Sequence, residues 1–490
     1  SELAANEIPD AEFKKSLYFA QEAVAKVVEA QEELVKLAGK PKRDYVVTVA
    51  KEDLLEIGYA VAGDRIEDAI YAASKVERGK KVGALRDEVE AAIKEKFPQT
   101  TEFEIEQVFE YIQKKAFRLS IMEKGVRADG RGLRDLRELY GEIGTLPRVH
   151  GSAIFSRGET QALGICTLAP ADEKLYVDNY AGGEDSKNFF LHYNFPPFSV
   201  GETGRFGGMN RREIGHGALA ERSIAPMLPS TEDFPYSMRI SSEVMESNGS
   251  TSMATVCAGT MALLDAGVPM IRPVAGISSG LVTEQDADGK MTKHVVILDI
   301  IGSEDFYGDM DFKLCGTSEG VTGYQLDLKL PGIPLSILEE GIDLAIEGRG
   351  AVLAKMAESI TGPGELSEHA PRIETVKIPQ DRIGELIGPG GKNIKAIQAE
   401  SGADLNIEDD GTVHIYASKK EGLEAAKNMI DMMFAEVEIG KTYTGKVMNV
   451  TTFGAFMEVL PGKDGLVHIS ELAEGRVDKV EDICKKGDVI

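Results

Sequence analysis

Asp299-Ile-Ile-Gly-Ser-Glu-Asp305-Phe-Tyr-Gly308-Asp309-Met-Asp311-Phe-Lys313 follows an apolar run and crowds acids, two glycines and a lysine into fifteen positions. Read as extended chain, Asp309, Asp311 and Lys313 fall on one face, and Met310, Phe312 and Leu314 on the other. Side chains of a strand alternate, so one face enters a core while the other offers two carboxylates and an ammonium group. Asp305 lies six residues before Asp311, about 20 Å along a straight chain. A turn at Gly308 would bring the two carboxylates together. Two carboxylates converging beside a cation suit Mg²⁺ held over a phosphate. A solvated acidic loop is the plain alternative.

Working outward, strand patterns occupy 294–301 and 321–330, and helical patterns occupy 210–226 and 252–266. His150 to Leu168 reads as strand, turn and strand. This mixture predicts an α+β domain over 121–360, entered by the turn-rich Arg127-Ala-Asp-Gly130-Arg131. Before it, Phe13, Leu17, Ala20, Val24, Val27 and Val28 mark a helix over 11–37. Gly63, Gly83 and Pro98 divide further helical patterns into an all-helical domain over 41–120. A linker over 361–371 leads to a β-α-α-β-β-α pattern over 372–436 and to short strands over 438–490.

The chain has 490 residues, 42% of them apolar, which fits a multidomain globular protein. No apolar run reaches the length of a membrane span. The net charge of −26 argues against a general nucleic-acid coat but leaves room for a local cationic channel. Cys166, Cys257, Cys315 and Cys484 are scattered, without metal-ligand or disulfide-framework spacing, as in a reducing compartment.

Four more segments carry chemistry. Ser247-Asn-Gly-Ser250-Thr251-Ser252 stands before a helical pattern, where free backbone N–H groups and hydroxyls bind anions; an ordinary helix cap needs only one such residue. Gly201 to Arg222 is a glycine-rich loop running into a helix that sets Arg212 and His216 on one face, with Arg205 and Arg211 before them. Arginines there suit phosphate oxygens, and ion pairs to Glu213 and Glu221 are the plain alternative. Gly388-Pro-Gly390-Gly391-Lys392, between two short helices of the β-α-α-β-β-α pattern, resembles the nucleotide-clamping loop of a KH domain. Phe453, Phe456 and His468 match the base-stacking face of an S1-type OB-fold. Fewer strands than such a barrel needs are visible before Ile490, so this domain reads as truncated.

These parts, with Arg157-Gly-Glu-Thr-Gln161, Arg211-Arg-Glu-Ile-Gly-His216 and Gly308-Asp-Met-Asp-Phe-Lys313, resemble the polynucleotide phosphorylases of the RNase PH superfamily over nearly the whole chain. The resemblance implies an RNase PH-like α/β domain (ribosomal protein S5 domain 2-like), with residues 1–40 as the last helical portion of a preceding RNase PH domain. It implies a processive 3′-to-5′ phosphorolytic exoribonuclease of mRNA degradation, reversible as a template-independent polymerase. Asp305 and Asp311 would hold Mg²⁺, with Mn²⁺ able to substitute, and Lys313 would stand beside them. Ser250, Thr251, Ser252, Arg211 and Arg212 would bind inorganic phosphate. His216, Arg157 and Arg205, the loop of Gly388, Gly390, Gly391 and Lys392, and Phe453, Phe456 and His468 would contact single-stranded RNA. Asp309 would support the ligands without being one, and Asp311 or a metal-bound water would protonate the departing 3′ oxygen. The family forms homotrimeric rings, in which Arg157, Arg205 and Arg211 would line the pore, and can join RNA-degradation complexes. A bacterial cytoplasm, or an organelle, is the implied location. A non-catalytic exosome-like ring subunit and a hydrolytic nuclease are the competing readings.

Overall fold

The computed structural model describes residues 1–45, 49–72, 74–178, 184–205, 207–286, 288–417, 419–460, 463–473, 475 and 477–490. The chain divides into two units, Ser1–Ser367 and Glu368–Ile490.

In the first unit, strand β1 (Glu2–Ile8) and helix α1 (Asp10–Ala38) lead to a helical layer of α2 (Glu52–Ala62), α3 (Arg65–Ile70), α4 (Lys75–Lys96) and α5 (Glu102–Leu119). Thr101 and Glu104 cap α5 reciprocally, satisfying two orphan donors of its first turn. Ile105, Val108, Phe109 and Ile112 recur at helical spacing and form its buried stripe. The stripe packs with Leu54, Ile57 and Val89 into a core that also takes Val282, Ile297, Ile300 and Ile301 from beyond residue 120. One core therefore joins the helical layer to the α+β part. Each fully buried Ile or Phe contributes about 1.5–3 kcal/mol to holding the two together.

The α+β part comprises β2 (Leu139–Ile143), β3 (Gly151–Arg157), β4 (Thr160–Pro170), β5 (Leu175–Asp178), β6 (Glu184–Lys187), β7 (Phe189–Asn194), α6 (Arg211–Ile224), β8 (Tyr236–Glu246), α7 (Thr251–Asp265), β9 (Ala275–Gln285), β10 (Met291–Leu298), α8 (Gly302–Tyr307), β11 (Met310–Gly316), β12 (Val321–Leu328) and α9 (Leu335–Ser359). Two five-stranded sheets run β2-β3-β4-β8-β7 and β1-β12-β11-β9-β10, and β5 pairs with β6. Helix α7 packs on β3 and β4 of one sheet and on β9 of the other. Buried all round, it carries apolar and small residues, with buried hydroxyls, on every face. Gly164 permits this approach: a Cβ there would stand 2.6 Å from the Ala258 carbonyl oxygen.

Residues 1–40 are not helical throughout: β1 pairs antiparallel with β12 and extends the β11 sheet. The turn expected at Gly308 lies before it instead: Gly302–Tyr307 is a short helix, and the chain straightens at Gly308, whose ψ is −179°. Glu304 causes this, accepting the Ile301 N–H at 2.9 Å and pairing with the buried Arg127 guanidinium.

In the second unit, β13 (Arg372–Lys377), α10 (Ile383–Ile387), α11 (Lys392–Ser401), β14 (Asp404–Ile407), β15 (Thr412–Ala417) and α12 (Lys420–Phe434) follow the β-α-α-β-β-α order, with sheet order β13-β15-β14. Strands β16 (Lys446–Thr451), β17 (Gly454–Leu460) and β18 (Lys463–His468) form a second small sheet over a core of Val447, Ala455, Val480 and Cys484.

Candidate active site

The hydroxyl-rich turn is built by long-range contacts. Ser250, in left-handed conformation at φ 54°, starts α7. Thr160 Oγ1 donates to the Gly249 carbonyl at 3.1 Å and accepts the Asn248 N–H at 3.0 Å. Glu159 accepts from Asn248 Nδ2 at 2.9 Å. Arg137 Nη1 donates to the Asn248 carbonyl at 2.8 Å, and Arg157 Nη2 to the Ser250 carbonyl at 2.7 Å. Arg137, Arg157 and Arg131 all pair with the buried Asp299, at 2.7, 3.0 and 3.3 Å. Although burial opposes ionisation, the Arg157 and Arg137 guanidiniums hold the Asp299 carboxyl well below the usual carboxylate range.

This arrangement corrects the expectation for Arg157. Its side chain is fully buried, so it cannot line a pore or touch RNA. The Arg157-Gly-Glu-Thr-Gln161 motif instead shapes the turn that presents Ser250.

A cavity of about 500 Å³ is lined by Arg211, Arg212, His216, Ser250, Asp305, Asp311, Lys313, Gln325 and Asp327, among others. It brings together the acid segment, the arginine helix and the hydroxyl turn, which the sequence separates by up to a hundred residues. Ser250 stands on its wall, and Thr251 and Ser252 are buried behind it. Among the described residues none hydrogen-bonds the buried Ser250 Oγ, Ser252 Oγ or Asp311 Oδ1. Buried polar atoms seldom stay unpaired, so these oxygens fit a ligand that accepts from the hydroxyls at one end and supplies positive charge at the other.

Lys313 Nζ lies 2.9 Å from Asp311 Oδ2 and donates to Gln325 Oε1 at 3.1 Å. Burial raises the Asp311 carboxyl; Lys313 pulls it down and Asp305 pushes it further up. A divalent cation would relieve that burial and repulsion. Among the described residues no three or more His, Cys, Asp or Glu side chains converge as a metal cluster. Two carboxylates with solvent or substrate oxygens suit Mg²⁺, which sheds water reluctantly. His216 Nδ1 lies 3.4 Å from the Tyr193 hydroxyl, and the rings meet edge-on at 5.4 Å. Burial, then Lys313 and Arg212, lower the His216 imidazole to about 3, so it is neutral at pH 7. Arg212 stands over the Phe195 ring at 5.3 Å.

Arg205 is exposed on the loop before α6 and is not among the cavity-lining residues. Asp309 turns away from Asp311 to the helical layer, where it takes both ends of the Arg118 guanidinium at 2.8 Å. The sequence reading missed Asp327, Gln325 and Glu2 on the cavity wall. The register Asp311↔Asp327 was the available signal for Asp327, but only once β11 and β12 were known to pair.

In the second unit, Gly388, Gly390 and Gly391 have φ of 70°, 62° and 77°, which leaves this loop's backbone open to close approach, with Lys392 exposed at the start of α11. Phe453 and Phe456 meet edge-on at 6.3 Å. His468 pairs in register with Gly454, two residues from Phe456, so His468 and Phe456 share one face of the β17–β18 pair.

Known families match four stretches of the chain. A 3′ exoribonuclease family, domain 1, matches 135–269, and a polyribonucleotide nucleotidyltransferase RNA binding domain matches 53–132. A KH domain matches 373–432 and an S1 RNA binding domain 436–490. The polyribonucleotide nucleotidyltransferase of Akkermansia muciniphila is 69% identical over 488 residues, spanning 99% of this chain and 68% of that protein. That of Methylacidiphilum infernorum is 51% identical over 491 residues, spanning 99% and 69%. A crystal structure of rice (Oryza sativa) Rrp46 aligns with 47% of this chain and 98% of its own at 20% identity, with a TM-score of 0.37, too slight a likeness to bear on the fold.

Proposed function

The chain belongs to the polyribonucleotide nucleotidyltransferase family, and on that premise we propose that it is a 3′-to-5′ phosphorolytic exoribonuclease. It passes the terminal nucleotide of single-stranded RNA to inorganic phosphate, releases a nucleoside 5′-diphosphate, and in reverse extends RNA without a template. One observation carries the reading: Ser250 at the start of α7 and Asp311 on β11 line a single cavity, each with a buried oxygen that has no partner among the described residues.

Phosphate fits the Ser250 end, where the hydroxyls of Ser250, Thr251 and Ser252 join N–H groups of the first α7 turn that no helical carbonyl satisfies. Asp305 and Asp311 would hold Mg²⁺, or Mn²⁺ in its place; when bound, the ion neutralises phosphoryl oxygens as a Lewis acid. Arg211, Arg212 and Lys313 add the positive charge needed when one anion attacks another. Neutral His216 serves as a hydrogen-bonding group toward the RNA backbone. An oxygen of phosphate bonds to the terminal phosphorus as the bond to the 3′ oxygen breaks. The attacking dianion carries one proton and the departing oxygen needs one. We assign that transfer to Asp311, whose Oδ2 lies 2.9 Å from Lys313 Nζ, or to a water beside it.

The loop at Gly388–Lys392 and the face of Phe453, Phe456 and His468 hold the RNA upstream of its 3′ end. We further assign a homotrimeric ring, association with RNA-degradation complexes, and a bacterial cytoplasm; the bacterial sources of the relatives support the last. Among the described residues no helix is long and apolar enough to cross a membrane.

The test is incubation with 3′-extended RNA and Mg²⁺, with and without phosphate. Nucleoside diphosphates formed only with phosphate are expected. Nucleoside monophosphates, or no product, would overturn the reading.

A further inference from the structure

Arg118 closes α5, in the helical layer, yet its guanidinium binds three pieces of the α+β part. Nη1 donates to Asp309 Oδ1 at 2.8 Å and to the Tyr307 carbonyl at 3.0 Å. Nη2 donates to Asp309 Oδ2 at 2.8 Å and to the Thr283 carbonyl. Asp309 Oδ2 also accepts the N–H and hydroxyl of Thr283, each at 2.8 Å. Tyr307 and Asp309 lie between Asp305 and Asp311 and flank Gly308, where α8 gives way to strand. At the other end of α8, Arg127 pairs with Glu304. The short link that spaces the two site carboxylates is thus gripped at both ends by arginines.

We propose that Arg118 is a positioning residue: the helical layer, through the Arg118–Asp309 fork, sets the spacing of Asp305 and Asp311 and hence their affinity for a divalent cation. This rests on the reading of those two carboxylates as cation ligands. The fork is bidentate and largely buried, with side-chain exposures of 20% and 8%. A planar guanidinium fixes a carboxylate in direction as well as distance, which a point charge does not. Residues that hold metal ligands in place commonly change affinity 10- to 100-fold when removed.

The experiment is titration of the full chain with Mn²⁺, following the free ion by electron paramagnetic resonance. Arg118→Gln is expected to bind Mn²⁺ about tenfold more weakly than wild type, with Arg118→Lys only partly restoring affinity. Thr283→Val is milder, removing one hydroxyl contact to Asp309, and is expected to lose about threefold; it keeps the test alive if Arg118→Gln does not fold. Lys293→Met removes a different bond, from Nζ to the Met122 carbonyl just after α5 at 2.9 Å, and is expected to bind as wild type. In the RNA assay, Arg118→Gln should lower kcat with the KM for RNA unchanged. Wild-type Mn²⁺ affinity in Arg118→Gln and Thr283→Val overturns the proposal alone, as does an equal loss in Lys293→Met. A wild-type chain that binds no Mn²⁺ overturns the cation reading and this proposal together.

Discussion

Gly249→Ala tests whether the turn before α7 is the phosphate cradle. Gly249 has φ 87°, where an L side chain is strained. A Cβ there would stand 2.7 Å from Gly302 N and from Ile301 C, and 2.9 Å from the Ile300 carbonyl oxygen. These are backbone atoms at the entry to α8, so no rotamer change can relieve the clash. Placing alanine at positive φ costs about 1–2 kcal/mol, and overpacking against fixed atoms about 1–3 kcal/mol. The sum of about 2–5 kcal/mol is released if the turn moves, and Ser250, the next residue, moves with it. At about 1.4 kcal/mol per tenfold, even the lower figure lowers kcat/KM for phosphate about thirtyfold. The assay is initial diphosphate release against phosphate concentration at saturating RNA. Gly83→Ala is the control, because among the described residues the added Cβ meets nothing within 4 Å beyond its chain neighbours and its own helix backbone. It should leave the kinetics unchanged and stabilise α4 by up to about 1 kcal/mol. A Gly249→Ala chain with wild-type kcat and KM for phosphate would refute the placement of phosphate at this turn.

Arg157→Lys leaves one point charge where a fork reached both Asp299 and the Ser250 carbonyl, and should cost about 3 kcal/mol in urea unfolding at pH 7. Asp299 is depressed in the folded state, so its stabilisation is complete above the unfolded carboxylate value of about 3.9 and is lost as pH falls below it; the variant's deficit should therefore narrow on acidification. His216→Gln should leave the shape of the pH–rate profile between about pH 5.5 and 8 unchanged, because the folded imidazole titrates at about 3. The depressed His216 contributes stability present above about 6.5 and lost as pH falls toward the folded value, so the variant should show a shallower acid-side decline in thermal stability. Phe453→Ala and Phe456→Ala should each weaken single-stranded RNA binding by about 1–3 kcal/mol in fluorescence anisotropy at fixed salt. Unchanged affinity in both would remove this face from the RNA path.

What a local pattern encodes was legible before any fold was known. The helix of Arg212 and His216 begins at Arg211 because Asn210 and Glu213 form a capping box, a signal contained within four residues. The β-α-α-β-β-α order and the glycines at 388–391 are likewise matters of short-range period and backbone freedom. Arg157 shows the limit. The family resemblance implied an RNA contact for it, but its partner Asp299 lies 142 positions away and takes it out of solvent.

The sequence by itself determined most of the helices and strands that carry the site, though not the short helix α8 or strand β1, and that carboxylates, hydroxyls and arginines of the right kinds are present, because side-chain periodicity and chemistry are local properties. Only the tertiary structure decided their use. It turned Asp309 from the site to Arg118, buried Arg157 beneath the turn it supports, and brought Asp327 of β12 and Glu2 of β1 to the cavity wall. The reason is that a charged side chain leaves water only for a partner in the same core, and that partner is set by sheet order and helix packing over distances that no sequence window spans.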